Sequence, residues 1–124
     1  MLTFVAVVLL AVDGGAGDAS RGETLYLARC GACHSLTENG AGPSHREVFG
    51  RRAATQPGFD YSEALQKSGL VWTAEALDRW LRDPNALVPG NAMRVQLAND
   101  PVDRADLIAF LERASGKPRP RPAK

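Results

Sequence analysis

The chain has 124 residues, enough for one domain of ordinary size and too few for two. Apolar residues make up 44%, so a packed core is within reach, and a net charge of +1 makes no case for a nucleic-acid partner. The only two cysteines are Cys30 and Cys33, which excludes both a disulfide framework and a four-cysteine zinc site.

The N-terminus reads as an export signal. Leu2 to Val12 is an apolar run followed by the small residues Gly14, Gly15, Ala16, Gly17 and Ala19. The run suits the apolar part of a signal and is too short to span a bilayer, which takes about 20 residues. Cleavage is expected after Ala16 or Ala19. No lysine or arginine precedes the run, so an uncleaved segment serving as a weak anchor is the other outcome. The expected division is a signal over 1–19, one domain over 20–115 and a basic, proline-rich tail over 116–124.

Asp18 or Ser20 can cap a first helix over Arg21 to Cys30, with Gly22, Leu25, Tyr26 and Arg29 on one face. A glycine on such a face lets another helix cross closely, or else marks a frayed first turn. The helix runs into Cys30-Gly31-Ala32-Cys33-His34, the C-x-x-C-H pattern of covalent haem attachment. Two thiols at this spacing can add to the two vinyl groups on one haem edge. The histidine that follows is then held under the ring, where its imidazole can bind the iron. The competing readings are a thiol redox pair and half of a zinc site. No βαβ pattern surrounds the pair to favour the first. The second would need His45 as a ligand, with no spacing logic.

Ser35 to Arg52 is rich in turn signals, among them Asn39-Gly40 and Gly42-Pro43. His45, the only other histidine, is expected on a polar surface loop rather than on the iron. It follows His34 too closely to reach the opposite face of a ring. Pro57-Gly58 marks a turn, and Tyr61 to Lys67 is a short helical candidate. Thr73 caps a clearer helix whose stripe is Leu77, Trp80 and Leu81, and Asp83-Pro84 ends it. Asn85 to Asn99 reads as a loop. Asp100 caps the last helix, with Pro101 at its first position and a buried stripe of Leu107, Ile108, Phe110 and Leu111. Gly116 fits the C-terminal cap. The tail from Lys117 to Lys124 has nothing to bury and reads as solvated.

An iron bound by one histidine has a sixth position to fill. Once the signal is set aside, Met93 is the only methionine. It lies in a proline-glycine loop, where backbone can wrap a flat cofactor. A thioether is a soft, neutral ligand that raises the reduction potential relative to harder pairs. With both axial positions filled, the site favours moving one electron over activating a substrate. The reading of Met93 as core filler loses weight beside the C-x-x-C-H motif.

These residues together resemble the class I cytochromes c, of the mitochondrial and related bacterial type. The resemblance covers Arg21 to about Ala114. Its pieces, in family order, are Gly22 and Tyr26, Cys30 to His34, Gly42-Pro43, Phe49-Gly50-Arg51, Pro57 to Ser62, Trp72, Pro84, Pro89 to Met93, and Asp106 to Leu111. It implies an all-α fold of three main helices, with short helices and long loops around one covalent haem c. It also implies that the Pro43 carbonyl accepts a hydrogen bond from His34 and that Tyr61 and Trp72 bond a haem propionate. Arg51 would offset the propionate charge, and Trp80 would take the place of a tyrosine beside the haem and the methionine. Gly22 would let the first helix cross the last near Phe110. Leu65, Ala92 and Val95 depart from the usual asparagine, lysine and aromatic. With Ala92 in place of lysine, Arg29, Arg46, Arg52 and Arg94 are the substitute docking cations.

The expected function is one-electron transfer by a monomer between membrane or periplasmic redox proteins, with no catalysis. The rival is a haem peroxidase or ligand sensor with a displaceable sixth ligand.

Overall fold

The computed structural model describes residues 17–116; the expected signal sequence and the tail fall almost wholly outside them. Five helices follow in order: α1 (Ala19–Arg29), α2 (Glu63–Lys67), α3 (Ala74–Arg82), α4 (Pro84–Leu87) and α5 (Pro101–Ala114). Among the described residues there is no strand, only an isolated antiparallel bridge between Arg52 and Val71. No described helix is long and apolar enough to cross a membrane.

Each helix starts where a side-chain oxygen satisfies free backbone N–H groups. Asp18 caps α1, Ser62 caps α2, Thr73 caps α3 and Asp100 caps α5. The first helix therefore begins two residues ahead of the expected Arg21. Asp83 has two roles: it ends α3 and accepts from Asn85 and Ala86 to start α4. The loop expected from Asn85 thus opens with one helical turn. Proline at its first position permits that turn, although the residue stopped α3.

The main packing is α1 across α5. Gly22 makes it possible. A Cβ there would lie 1.9 Å from the Asp106 carbonyl oxygen and 2.9 Å from Phe110 Cβ. The close-crossing reading of Gly22 therefore holds, and the frayed-turn reading does not. Buried acids fasten the crossing. Asp106 accepts the Asp18 backbone N–H at 2.7 Å and Arg21 Nη1 at 2.6 Å. Asp103 takes Arg21 Nη2 at 2.7 Å and Arg29 Nη2 at 3.0 Å. Because Asp18 both caps α1 and binds α5, the folded part starts ahead of residue 20.

Arg104 is a buried clamp that sequence reasoning missed. Its Nε pairs with Asp78 of α3 at 2.7 Å, and its Nη1 donates to the carbonyls of Ala98 and Asn99. It ties α3 and the end of the 88–99 loop to α5. The core runs through Tyr26, Leu65, Trp72, Leu77, Trp80, Leu81, Leu107, Phe110 and Leu111. Each fully buried side chain of this kind contributes roughly 1.5–3 kcal/mol. Many of the same residues also face a cavity, so the core is arranged around a space rather than closed on itself.

Candidate functional site

One cavity of about 350 Å³ is lined by residues of α1, α2, α3 and α5 and of the loops between them. Its walls include Cys30, Cys33, His34, Pro43, Arg51, Tyr61, Trp72, Trp80 and Met93. Every site residue expected from the sequence is therefore brought to one place.

The end of α1 supplies the first wall. Cys30 caps that helix, and a tight turn follows in which Cys33 and His34 both donate N–H to the Cys30 carbonyl. This turn sets both thiols and the imidazole at the cavity. Cys30 is buried and Cys33 exposed, and no disulfide joins them. Burial pushes the Cys30 thiol up to about 11, with Cys33 adding to and Arg29 opposing the rise. A buried thiol held in its protonated form gives the redox-pair reading no support. The zinc reading fares no better, since among the described residues no three His, Cys, Asp or Glu side chains converge as a metal ion needs.

His34 Nδ1 donates to the Pro43 carbonyl at 2.7 Å. A proline carbonyl can only accept, so the proton sits on Nδ1 and Nε2 keeps its lone pair. Burial lowers the His34 pKa, partly opposed by the Pro43 bond, so the ring is neutral and able to bind metal. Gly42 leaves room for it: a Cβ there would lie 2.2 Å from His34 Cε1.

Paired backbone bonds build the second wall. Gly50 donates to the Trp72 carbonyl at 2.8 Å, and Trp72 donates to the Arg51 carbonyl at 2.9 Å. Arg51 and Trp72 are thereby held side by side, and Trp72 meets Trp80 edge-on at 5.1 Å. Arg51 Nη1 donates to Gln56 at 2.9 Å and to the Arg46 carbonyl, while Nη2 donates to the Ser44 carbonyl. Burial lowers the Arg51 pKa, with Tyr61 and Glu47 opposing. Tyr61 Oη accepts the Gln56 N–H at 3.2 Å, which leaves its own proton to donate elsewhere.

Met93 comes from the loop between α4 and α5. The loop is held at Asn91, fully buried, whose Nδ2 donates to the Val88 carbonyl at 2.9 Å. Arg29 Nη1 pins it again at the Leu97 carbonyl, 3.1 Å away. Met93 is half-buried beside exposed Ala92, Arg94 and Val95. Leu65 is buried in the same cavity wall.

His45 does not lie on a surface loop, contrary to expectation. Its ring stacks on His34, with centroids 4.0 Å apart and planes at 17°. Its Nδ1 is 3.0 Å from Tyr26 Oη. Burial, then the adjoining His34 ring and the Arg51 guanidinium, push its pKa down to about 3, so the ring is neutral. The reason is the turn that begins at Gly42-Pro43. To bring the Pro43 carbonyl to His34, the chain folds back, and the His45 N–H then bonds the Ser35 carbonyl at 2.8 Å. Nothing in the local composition signals this.

The residues fit a haem. The cavity is mainly apolar and reaches from the two thiols to Met93. Arg51 Nε and Asn91 Oδ1 are buried in its lining residues with no hydrogen-bond partner among the described residues. Buried polar atoms normally have partners, and Arg51 beside Tyr61 and Trp72 suits the carboxylates of such a group.

Fold and site thus define a class: a small all-α protein whose core is completed by a covalently held haem. A family model described as cytochrome c matches residues 19–115. Cytochrome c2 of Rhodomicrobium vannielii is 40% identical over 115 residues, covering 90% of this chain and 91% of that protein. Cytochrome c of Euglena viridis is 39% identical over 98 residues, covering 77% and 96%. The solved structure of cytochrome cH from Methylobacterium extorquens superposes with a TM-score of 0.75 at 42% identity, covering 78% of this chain and 99% of that one. The chain belongs to the cytochrome c family. It has the class I cytochrome c fold, binds one covalent c-type haem with its iron, and is an electron carrier, not an enzyme. The peroxidase or sensor alternative is not favoured.

Proposed function

We propose that Cys30 and Cys33 hold the haem by thioether bonds, that His34 and Met93 are its axial ligands, and that the protein carries single electrons between membrane or periplasmic redox proteins. The observation that supports this best is the shared cavity: it joins the Cys30–His34 turn to Met93, with the His34 proton committed to Pro43. When bound, the haem supplies a one-electron iron couple. The chain's residues do the rest. Pro43 fixes the His34 tautomer and leaves the Nε2 lone pair free, so that His34 would bind the iron through Nε2. Arg51, Tyr61 and Trp72 would hold the propionates, and Trp72 and Trp80 would shield the haem from water. The Met93 thioether would hold the iron opposite His34 and, as a soft neutral ligand, would favour its reduced form.

The expected export signal and the resemblance to bacterial cytochrome c2 support a periplasmic location. Cleavage after Ala16 would leave Asp18, the cap of α1, in place. Cleavage after Ala19 would remove that cap and its bond to Asp106. The docking cations reduce to exposed Arg46, Arg52 and Arg94, because Arg29 is engaged by Asp103 and Leu97.

The test is a haem stain of the denatured chain, after expression with a haem-attachment system, in the native protein and in Met93→Ala. Both should retain haem. The variant should show a lower potential and bind carbon monoxide rapidly when reduced. An unstained native chain would overturn the attachment, and an unchanged potential would remove Met93 from the iron.

A further inference from the structure

The cytochrome function as proposed gives His45 no role. His45 lies against His34 and lines the cavity, yet it neither attaches nor ligates the haem in that reading. We propose that His45 is a positioning residue for His34: its ring, tethered by Tyr26, fixes the plane in which His34 presents Nε2 to the iron. This rests on His34 being an axial ligand.

Two contacts hold the His34 ring. Its Nδ1–H···O bond to Pro43 fixes one edge. A hydrogen bond tolerates about 30° of bending before it weakens much, so this contact alone leaves the ring plane loose. A flat partner in van der Waals contact does not leave it loose. The His45 ring is nearly parallel, at 17°, with centroids 4.0 Å apart. Gly42, close against the same imidazole, narrows the space further.

His45 must itself be held for this to work. Tyr26 Oη is 3.0 Å from Nδ1, which selects one rotamer and one ring orientation. Tyr26 in turn is buried on α1, edge-on to His45 at 5.6 Å and tilted on Phe110 of α5 at 5.1 Å. A continuous line of rings therefore runs from the helix crossing to the imidazole: Phe110, Tyr26, His45, His34. An aliphatic side chain in place of His45 could fill the space, but it could not be tethered by Tyr26 Oη.

The experiment uses the haem-loaded protein and proton NMR of its oxidised form. In low-spin ferric haem, the spread of the ring-methyl shifts depends on the orientation of the axial ligand planes. The native spectrum comes first: absence of a low-spin, two-ligand signature would sink the ligation reading, before positioning is tested. His45→Leu is then expected to change the methyl pattern while haem stays covalently attached. Tyr26→Phe, which keeps the stack and cuts the tether, should move the pattern the same way by less. In the double variant, Tyr26→Phe should add nothing to His45→Leu. An unchanged pattern in His45→Leu would overturn the proposal, as would full additivity. Should His45→Leu fail to load haem, Tyr26→Phe decides alone, and an unchanged pattern there overturns the tethered arrangement.

Discussion

Gly42 and His34 are packed so closely that any side chain on the glycine would occupy the imidazole's place. The Cβ would fall 2.2 Å from His34 Cε1, 2.6 Å from Nδ1 and 2.7 Å from Nε2. The contact is with a ring held on its other sides by Pro43 and His45, so the ring has little room to yield. Gly42→Ala is expected to cost about 2–3 kcal/mol, as overpacked cores do. Denaturant unfolding of the haem-loaded protein would read it as a lower midpoint with an unchanged slope. An unchanged midpoint would mean that the imidazole can move aside freely.

Gly22 makes the same demand at the helix crossing, against backbone rather than a side chain. Its Cβ would meet the Asp106 carbonyl at 1.9 Å, so α1 and α5 would have to separate. Gly22→Ala should therefore cost about 3 kcal/mol or more, despite alanine's better helix propensity. Thermal unfolding monitored by circular dichroism would show it. Stability equal to the native protein would contradict the crossing geometry.

Tyr26 links stability to alkaline pH. Burial pushes its pKa from 10.0 up to about 12. The unfolded chain releases the proton first. The stabilisation is complete below pH 10 and is lost as pH rises towards 12, up to about 3 kcal/mol in all. Tyr26→Phe should be less stable near neutral pH by about 1 kcal/mol, from the lost bond to His45. It should also lose less between pH 10 and 12. Urea titrations at stepped pH would separate the two curves; parallel curves would remove Tyr26 as the cause.

Asp103 acts at the opposite end of the pH scale. The Arg21 guanidinium holds its carboxyl below the usual range, with Arg29 assisting against desolvation. A carboxylate with a depressed pKa stabilises the fold above its unfolded pKa, near 4, and loses that contribution as pH falls further. Asp103→Asn should flatten the acid limb of the stability curve and weaken the protein at pH 7. Acid titration followed by helix content checks both. A variant with the same acid limb as the native chain would assign that limb to other groups.

Much of the site was legible from spacing. The C-x-x-C-H run confines two thiols and an imidazole to one turn, so their proximity needs no tertiary information. The caps at Asp18, Thr73 and Asp100 were equally local, since each oxygen serves N–H groups within three residues. α4 was not legible because Asp83-Pro84 both ends one helix and starts another, and proline signals both events. Arg104 was missed because its partners, Asp78, Ala98 and Asn99, come from two other segments. His45 misled for a related reason. Among turn residues a histidine reads as exposed, whereas the fold turns it onto His34 and Tyr26.

By itself the sequence determined the chemistry this protein can hold: where the thiols, the imidazole and the methionine stand along the chain, and which segments are helical. Those features depend on neighbours a few residues away. Only the tertiary structure decided that Tyr26, Phe110, His45 and His34 form one line of rings, and that Arg51 and Trp72 stand side by side at the cavity. Such contacts are set by how closely α1 can approach α5 and by how the loops fold back between them. That approach depends on the absence of a side chain at Gly22 and on buried acids far away in the chain, a balance of packing and charge that no local pattern records.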